Sequence, residues 1–106
     1  MSEARETMTL ELSKWERHLL TDGLLDSARS TIEAIRDIRK RNGEGEETMS
    51  TVRNWKRLAT DKLKLARRVA PDSTIFLIDR RCEELTIACE QLTEQRLLQA
   101  LNRTFG

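Results

Sequence analysis

The chain has 106 residues, enough for one small domain or one part of an assembly. Hydrophobic residues make up 38% and charged residues 35%, so the apolar content builds one modest core and not two. Net charge is +1, which selects no partner, and no apolar run approaches the ~20 residues of a membrane span.

Composition favours helices. There is one proline, four glycines and no tyrosine, while Leu, Arg, Glu and Thr are abundant. The expected fold is all-α: a helical hairpin or bundle of three to four helices with a long C-terminal helix, completed by a homodimer. The charge is unevenly spread. Residues 1–34 hold 7 acidic and 4 basic groups, net −3. Residues 35–81 hold 13 basic and 7 acidic, net +6, and residues 82–106 hold 2 basic and 4 acidic, net −2. Either the acidic ends fold back on the basic middle, or the middle meets an external polyanion.

A single helical domain over 1–106 is expected, in four parts. The N-terminal helical segment, 1–41, shows one stripe of Leu12, Trp15 and Leu19 and another of Leu25, Ala28, Ile32 and Ile35. The stripes are out of phase, and Thr21-Asp22-Gly23 lies where the phase changes. This predicts a helix over roughly 3–20, a break, and a second helix over 24–41. The alternative is one long helix packed on both sides. Residues 42–47, Asn-Gly-Glu-Gly-Glu-Glu, read as a linker. Thr48 or Ser50 is a candidate cap for a basic amphipathic helix over 48–70, which Pro71 stops. Asp72 or Ser73 caps a long helix over 72–103. There Ile75, Ile78, Cys82, Leu85, Cys89 and Leu92 keep three-four spacing, a coiled-coil-like seam that fails at Arg96. Leu97, Leu98, Leu101 and Phe105 continue on another side and form the candidate oligomer interface. The expected core includes Trp15, Leu19, Ile32, Ile35, Trp55, Leu58, Ile78, Leu85 and Leu92.

Cys82 and Cys89 lie seven apart, about 10 Å along one helix face, too far for a mutual disulfide. They read as small buried hydrophobes in a reducing compartment. The N-terminus is too acidic and polar for a signal peptide. An intracellular, cytoplasmic location is expected, and the nucleus is also compatible.

The basic helix carries the most information. At ~100° per residue, Val52, Trp55, Leu58, Ala59, Leu63, Leu65, Ala66 and Val69 fall within an arc of ~160°. Arg53, Lys56, Arg57, Lys64, Arg67 and Arg68 fall within ~120° on the other side, with Asp61 just past the edge. Most solvated faces mix signs to gain i,i+4 pairs. A single-sign face suits an anionic partner, and these six residues are the candidate nucleic-acid contacts. Laid along a helix they span ~20 Å and meet phosphates without reading sequence. No aromatic lies among them, so duplex binding fits better than single-strand stacking. Arg36, Arg39, Lys40 and Arg41 could extend the track, although cations at a helix C-terminus also complement its dipole. Arg80 and Arg81 sit where cations are mildly unfavourable, but a surface ion pair is their default role.

Catalysis is not expected, and neither a metal site nor a cofactor nor a small-molecule substrate. No nucleotide-binding or zinc-protease motif is present. His18 is the only imidazole. Glu83-Glu84 and Glu46-Glu47 are adjacent pairs, which point ~100° apart on a helix and form no facing dyad.

The stretch 58–71, L-A-T-D-K-L-K-L-A-R-R-V-A-P, lies in a layout of helix, loop, basic helix, proline and further helix. It resembles the small helical RNA-silencing suppressors of insect nodaviruses, over about an eighth of the chain. The resemblance implies a dimer of helical hairpins that lays this helix on double-stranded RNA, with Lys62, Lys64, Arg67 and Arg68 as contacts. The long C-terminal helix and the Gly-Glu linker have no counterpart in it. The working function is therefore sequence-independent double-stranded RNA binding by a viral suppressor. The rival is a protein–protein assembly or adaptor module, whose basic face docks on an acidic protein surface and whose C-terminal seam zips with a partner helix. Insertion of the basic helix into a membrane surface is a poor third, because one Trp and two Ala make a thin apolar face.

Overall fold

The computed structural model describes residues 11–105, with side chains up to residue 93. Among the described residues three helices make up an all-α bundle: α1 (Lys14–Asn42), α2 (Glu46–Val69) and α3 (Ile75–Phe105). A 3-10 turn, Asp72–Thr74, joins α2 to α3.

Helix α1 begins at a capping box. The Ser13 hydroxyl accepts from Glu16 N–H at 3.1 Å, and a Glu16 carboxylate oxygen accepts from Ser13 N–H at 2.9 Å. These bonds to the Ser13 backbone and hydroxyl hold the Glu16 carboxyl below its ordinary range. A depressed carboxyl stabilises the fold above its unfolded pKa, and that contribution disappears as pH falls through the folded value. Helicity measured against pH should therefore decline in acid, and Glu16→Gln should flatten that decline.

No break occurs at residues 21–23. Helix α1 runs unbroken through Gly23, because Thr21, Leu25, Ala28, Ile32 and Ile35 form one continuous buried stripe across it. The Thr21 hydroxyl donates to the Arg17 carbonyl at 2.7 Å inside the same helix. The N-terminal stripe stays out of phase and therefore outside the core. Trp15 is 69% exposed and Leu19 54% exposed, so neither belongs to the core expected for them. A methyl group at Gly23 would meet nothing within 4 Å. Gly23→Ala should therefore stabilise the protein by roughly 0.5–1 kcal/mol in a denaturant titration.

The linker is shorter than expected. Helix α1 takes Asn42, and α2 starts at Glu46 with Gly45 as its N-cap residue. Gly43 adopts φ 73°, the left-handed side of backbone space that favours glycine, and donates to the Arg39 carbonyl at 2.9 Å. Thr48 and Ser50 do not cap α2, since they lie within it, and Thr48 is buried. Glu46 and Glu47 in its first turn complement the helix dipole instead. Pro71 follows the end of α2, as expected, and its carbonyl accepts from Thr74 N–H at 2.9 Å.

Helices α1 and α2 pack antiparallel, and α3 lies against both. Leu25, Ala28, Leu63, Ala66, Ala70, Ile78 and Cys82 form one buried cluster. Ile32, Ile35, Met49, Val52, Ala59 and Cys89 form the next. Trp55, Leu85 and Leu92 are half-buried against the second cluster. Two alanines, Ala59 and Ala66, interrupt the larger Met49, Val52 and Leu63 along the buried stripe of α2, which makes room for the neighbouring helices there. Leu58, expected in the core, is 46% exposed, on the side of the α1–α2 pair away from α3. The side chains of Leu97, Leu98, Leu101 and Phe105, the expected oligomer interface, lie outside the described residues. Among the described residues no helix is long and apolar enough to cross a membrane.

Candidate polyanion-binding face

Helix α2 presents its basic residues on the side opposite its buried stripe. Arg53, Arg57, Lys64, Arg67 and Arg68 are exposed and Lys56 is half-buried. From Arg53 to Arg68 the strip is ~22 Å long, at 1.5 Å per residue. Arg53, Lys56, Arg57, Thr60, Asp61 and Lys64 line a shallow depression of about 430 Å³. Arg68 borders a separate hollow with Leu12, Leu20, Leu65 and Val69.

The six cations differ in what holds them. Arg53 reaches the Glu46 carboxylate at 3.4 Å, and Arg67 reaches Asp79 of α3 at 3.4 Å. Both pairs are solvent-exposed, where such contacts contribute about 0–1 kcal/mol, so an incoming phosphate can displace them. Lys56, Arg57, Lys64 and Arg68 have no ion-pair partner among the described residues.

Lys62 does not join the strip. Its ammonium turns across to α1, donating to the Thr31 hydroxyl at 2.8 Å and the Ser27 carbonyl at 3.5 Å. Two of the four contacts that the family resemblance implied are thus engaged within the chain, Lys62 on α1 and Arg67 with Asp79. The end of α1 contributes unevenly to any extended track. Arg39 is nearly buried, and its guanidinium donates to the Leu92 carbonyl and to Glu44. It fastens α3 and the α1–α2 turn to α1. Lys40 and Arg41 remain exposed, and Arg36 sits 3.7 Å from Asp37. Arg80 pairs with Glu84 at 3.8 Å, as expected of a surface cation.

Arg17 has a role that no sequence pattern announces. Its Nε donates to the Val69 carbonyl at 2.8 Å and its Nη2 to the Ala70 carbonyl at 2.7 Å. Those two carbonyls end α2, where helical partners run out. The bonds join residues 52 and 53 apart in sequence, which local periodicity cannot report.

The rest of the molecule is chemically quiet among the described residues. Burial pushes both cysteine thiols up, that of Cys82 and that of Cys89. Cys82 Sγ lies 3.7 Å from the Leu63 carbonyl, inside the core. A protonated, enclosed thiol is a poor nucleophile. No cluster of three metal-ligating side chains occurs among the described residues. No family model matches the chain, and neither a curated protein nor a solved structure matches it.

Proposed function

We propose that the chain is a non-enzymatic nucleic-acid-binding protein. It takes double-stranded RNA through the α2 basic face of a helical dimer, without reading sequence, in the role of a viral suppressor of RNA silencing. One observation carries the reading: Arg57, Lys64 and Arg68 stand in solvent along one helix with no acidic neighbour engaged among the described residues. Held on one helix, they meet successive phosphates without the backbone having to be ordered first. The half-buried Trp55 lies on the opposite arc, so the face offers no base-stacking platform, which favours duplex over single strand. The choice of RNA over DNA rests on the family resemblance of residues 58–71.

The test is fluorescence anisotropy with a labelled ~20-bp RNA duplex at two salt concentrations, with matched DNA and single strand alongside. Sub-micromolar affinity for the RNA duplex that falls steeply with salt is expected. A chain that binds none of the three at low salt would refute this reading.

The second reading is the assembly or adaptor module. Leu58 and Leu65 favour it, since both are exposed on α2 and a phosphate backbone has no use for them. In that case an acidic protein surface covers the strip, and polar substitutions at Leu58 and Leu65 release the partner while RNA is ignored.

A further inference from the structure

Helix α3 carries two stripes on opposite sides. Ile75, Ile78, Cys82, Leu85 and Cys89 face the bundle. Leu77, Arg80, Glu84 and Ile87 repeat at the same three-four spacing about half a turn away. Leu77 is 62% exposed and Ile87 47% exposed. Arg80 and Glu84 are open to solvent and, with no other partner among the described residues, sit 3.8 Å from each other. Phe76, 79% exposed, borders the stripe. No other element covers it among the described residues.

We infer that this stripe is a self-association face that takes a second copy of the chain in antiparallel orientation. The order of its residues supplies the reason. Apolar, basic, acidic, apolar is complementary to itself when read backwards. With a two-fold axis at the level of Cys82, Leu77 meets Ile87 of the second copy and Arg80 meets its Glu84. All four layers are then satisfied. A parallel copy would set Arg80 on Arg80 and Glu84 on Glu84, which is repulsive. A lipid or nucleic-acid surface fits poorly, because Glu84 stands in the middle of the stripe. Four layers are short, so a weak dimer is expected, with Kd roughly 10–100 µM. The inference rests on α3 alone and stands whether or not α2 binds RNA; with a Kd of this size the free chain is monomeric at sub-micromolar concentration, where only a duplex that holds two copies together would pair them.

The experiment is sedimentation velocity of the full chain from about 5 to 200 µM, with circular dichroism to follow folding. The wild type should move from a 12.3 kDa species towards twice that mass as concentration rises. Ile87→Glu should weaken association at least about tenfold, and Arg80→Glu should do the same by bringing acidic groups together. The double exchange Arg80→Glu with Glu84→Arg should return association to within about threefold of wild type. These positions are exposed, so the helical signal should not change. A chain that stays at 12.3 kDa throughout overturns the inference. So does an Ile87→Glu variant that associates like wild type, or a double exchange no better than Arg80→Glu alone.

Discussion

Reversing two charges on α2, Arg57→Glu together with Lys64→Glu, is expected to weaken RNA-duplex binding at least about 100-fold. Its circular dichroism should match wild type and its melting should fall by only a few degrees, about the cost of two carboxylates placed one turn either side of Asp61. Both side chains are exposed and neither has an ion-pair partner among the described residues, so the fold loses no contact. Binding by the dimer loses four phosphate contacts, two per protomer, and gains four repulsive ones. The slope of log affinity against log salt should fall by about 4, because fewer counterions are released. Arg67→Glu is a less clean variant, since it sets a second carboxylate beside Asp79, 3.4 Å from the present guanidinium. Lys62→Glu should behave differently again. It removes the bonds to Thr31 and Ser27 and places a charge against α1, so its effect should appear first in the melting temperature. If the double reversal binds RNA as tightly as wild type, phosphates are met elsewhere and the strip serves another purpose.

Arg17→Ala should lower stability by about 2–3 kcal/mol, a fall in melting temperature of about 10–20 °C for a domain of this size. Two charge-assisted bonds to the terminal carbonyls of α2 are lost, and those carbonyls keep no protein partner. The positive charge also complements the negative end of the α2 dipole. Arg17→Lys should recover only part of the loss, because an ammonium does not reproduce the flat fork that reaches Val69 and Ala70 together. A thermal melt of both variants separates these contributions. An Arg17→Ala protein as stable as wild type would show that water satisfies the α2 end equally well. RNA affinity below the melting range should fall at most a few-fold in Arg17→Ala and stay near wild type in Arg17→Lys, since Arg17 lines the hollow beside Arg68 at the end of the strip and Lys keeps its charge.

Much of the candidate face is legible in the amino-acid sequence. Six basic residues within one ~120° arc, facing an apolar arc, belong to helical geometry, and a helix is what α2 is. Which of the six are engaged is not legible there. Arg53 and Arg67 find acids seven residues and one helix away, and outside the six, Lys62 turns across to α1. The expectation for Leu58 fails for a related reason. Its arc is apolar overall, but α1 and α3 together cover only part of that arc.

Local chemistry in the sequence determined the helical class, the glycine turn after α1, the stop at Pro71 and the two-faced character of α2. Each depends on residues within a turn or two of one another. Tertiary structure decided the rest. Continuity of α1 through Gly23 comes from the stripe Thr21, Leu25, Ala28, Ile32 and Ile35, which packs as one surface and outweighs a single glycine's cost of about 1 kcal/mol. The same packing leaves Trp15 and Leu19 in solvent, although their spacing is as regular as that of buried residues. Periodicity marks the faces that a helix has. Only the position of a neighbouring helix selects which face is buried, and contacts such as Arg17 with Val69 and Ala70 join residues too far apart in sequence for any repeat to show.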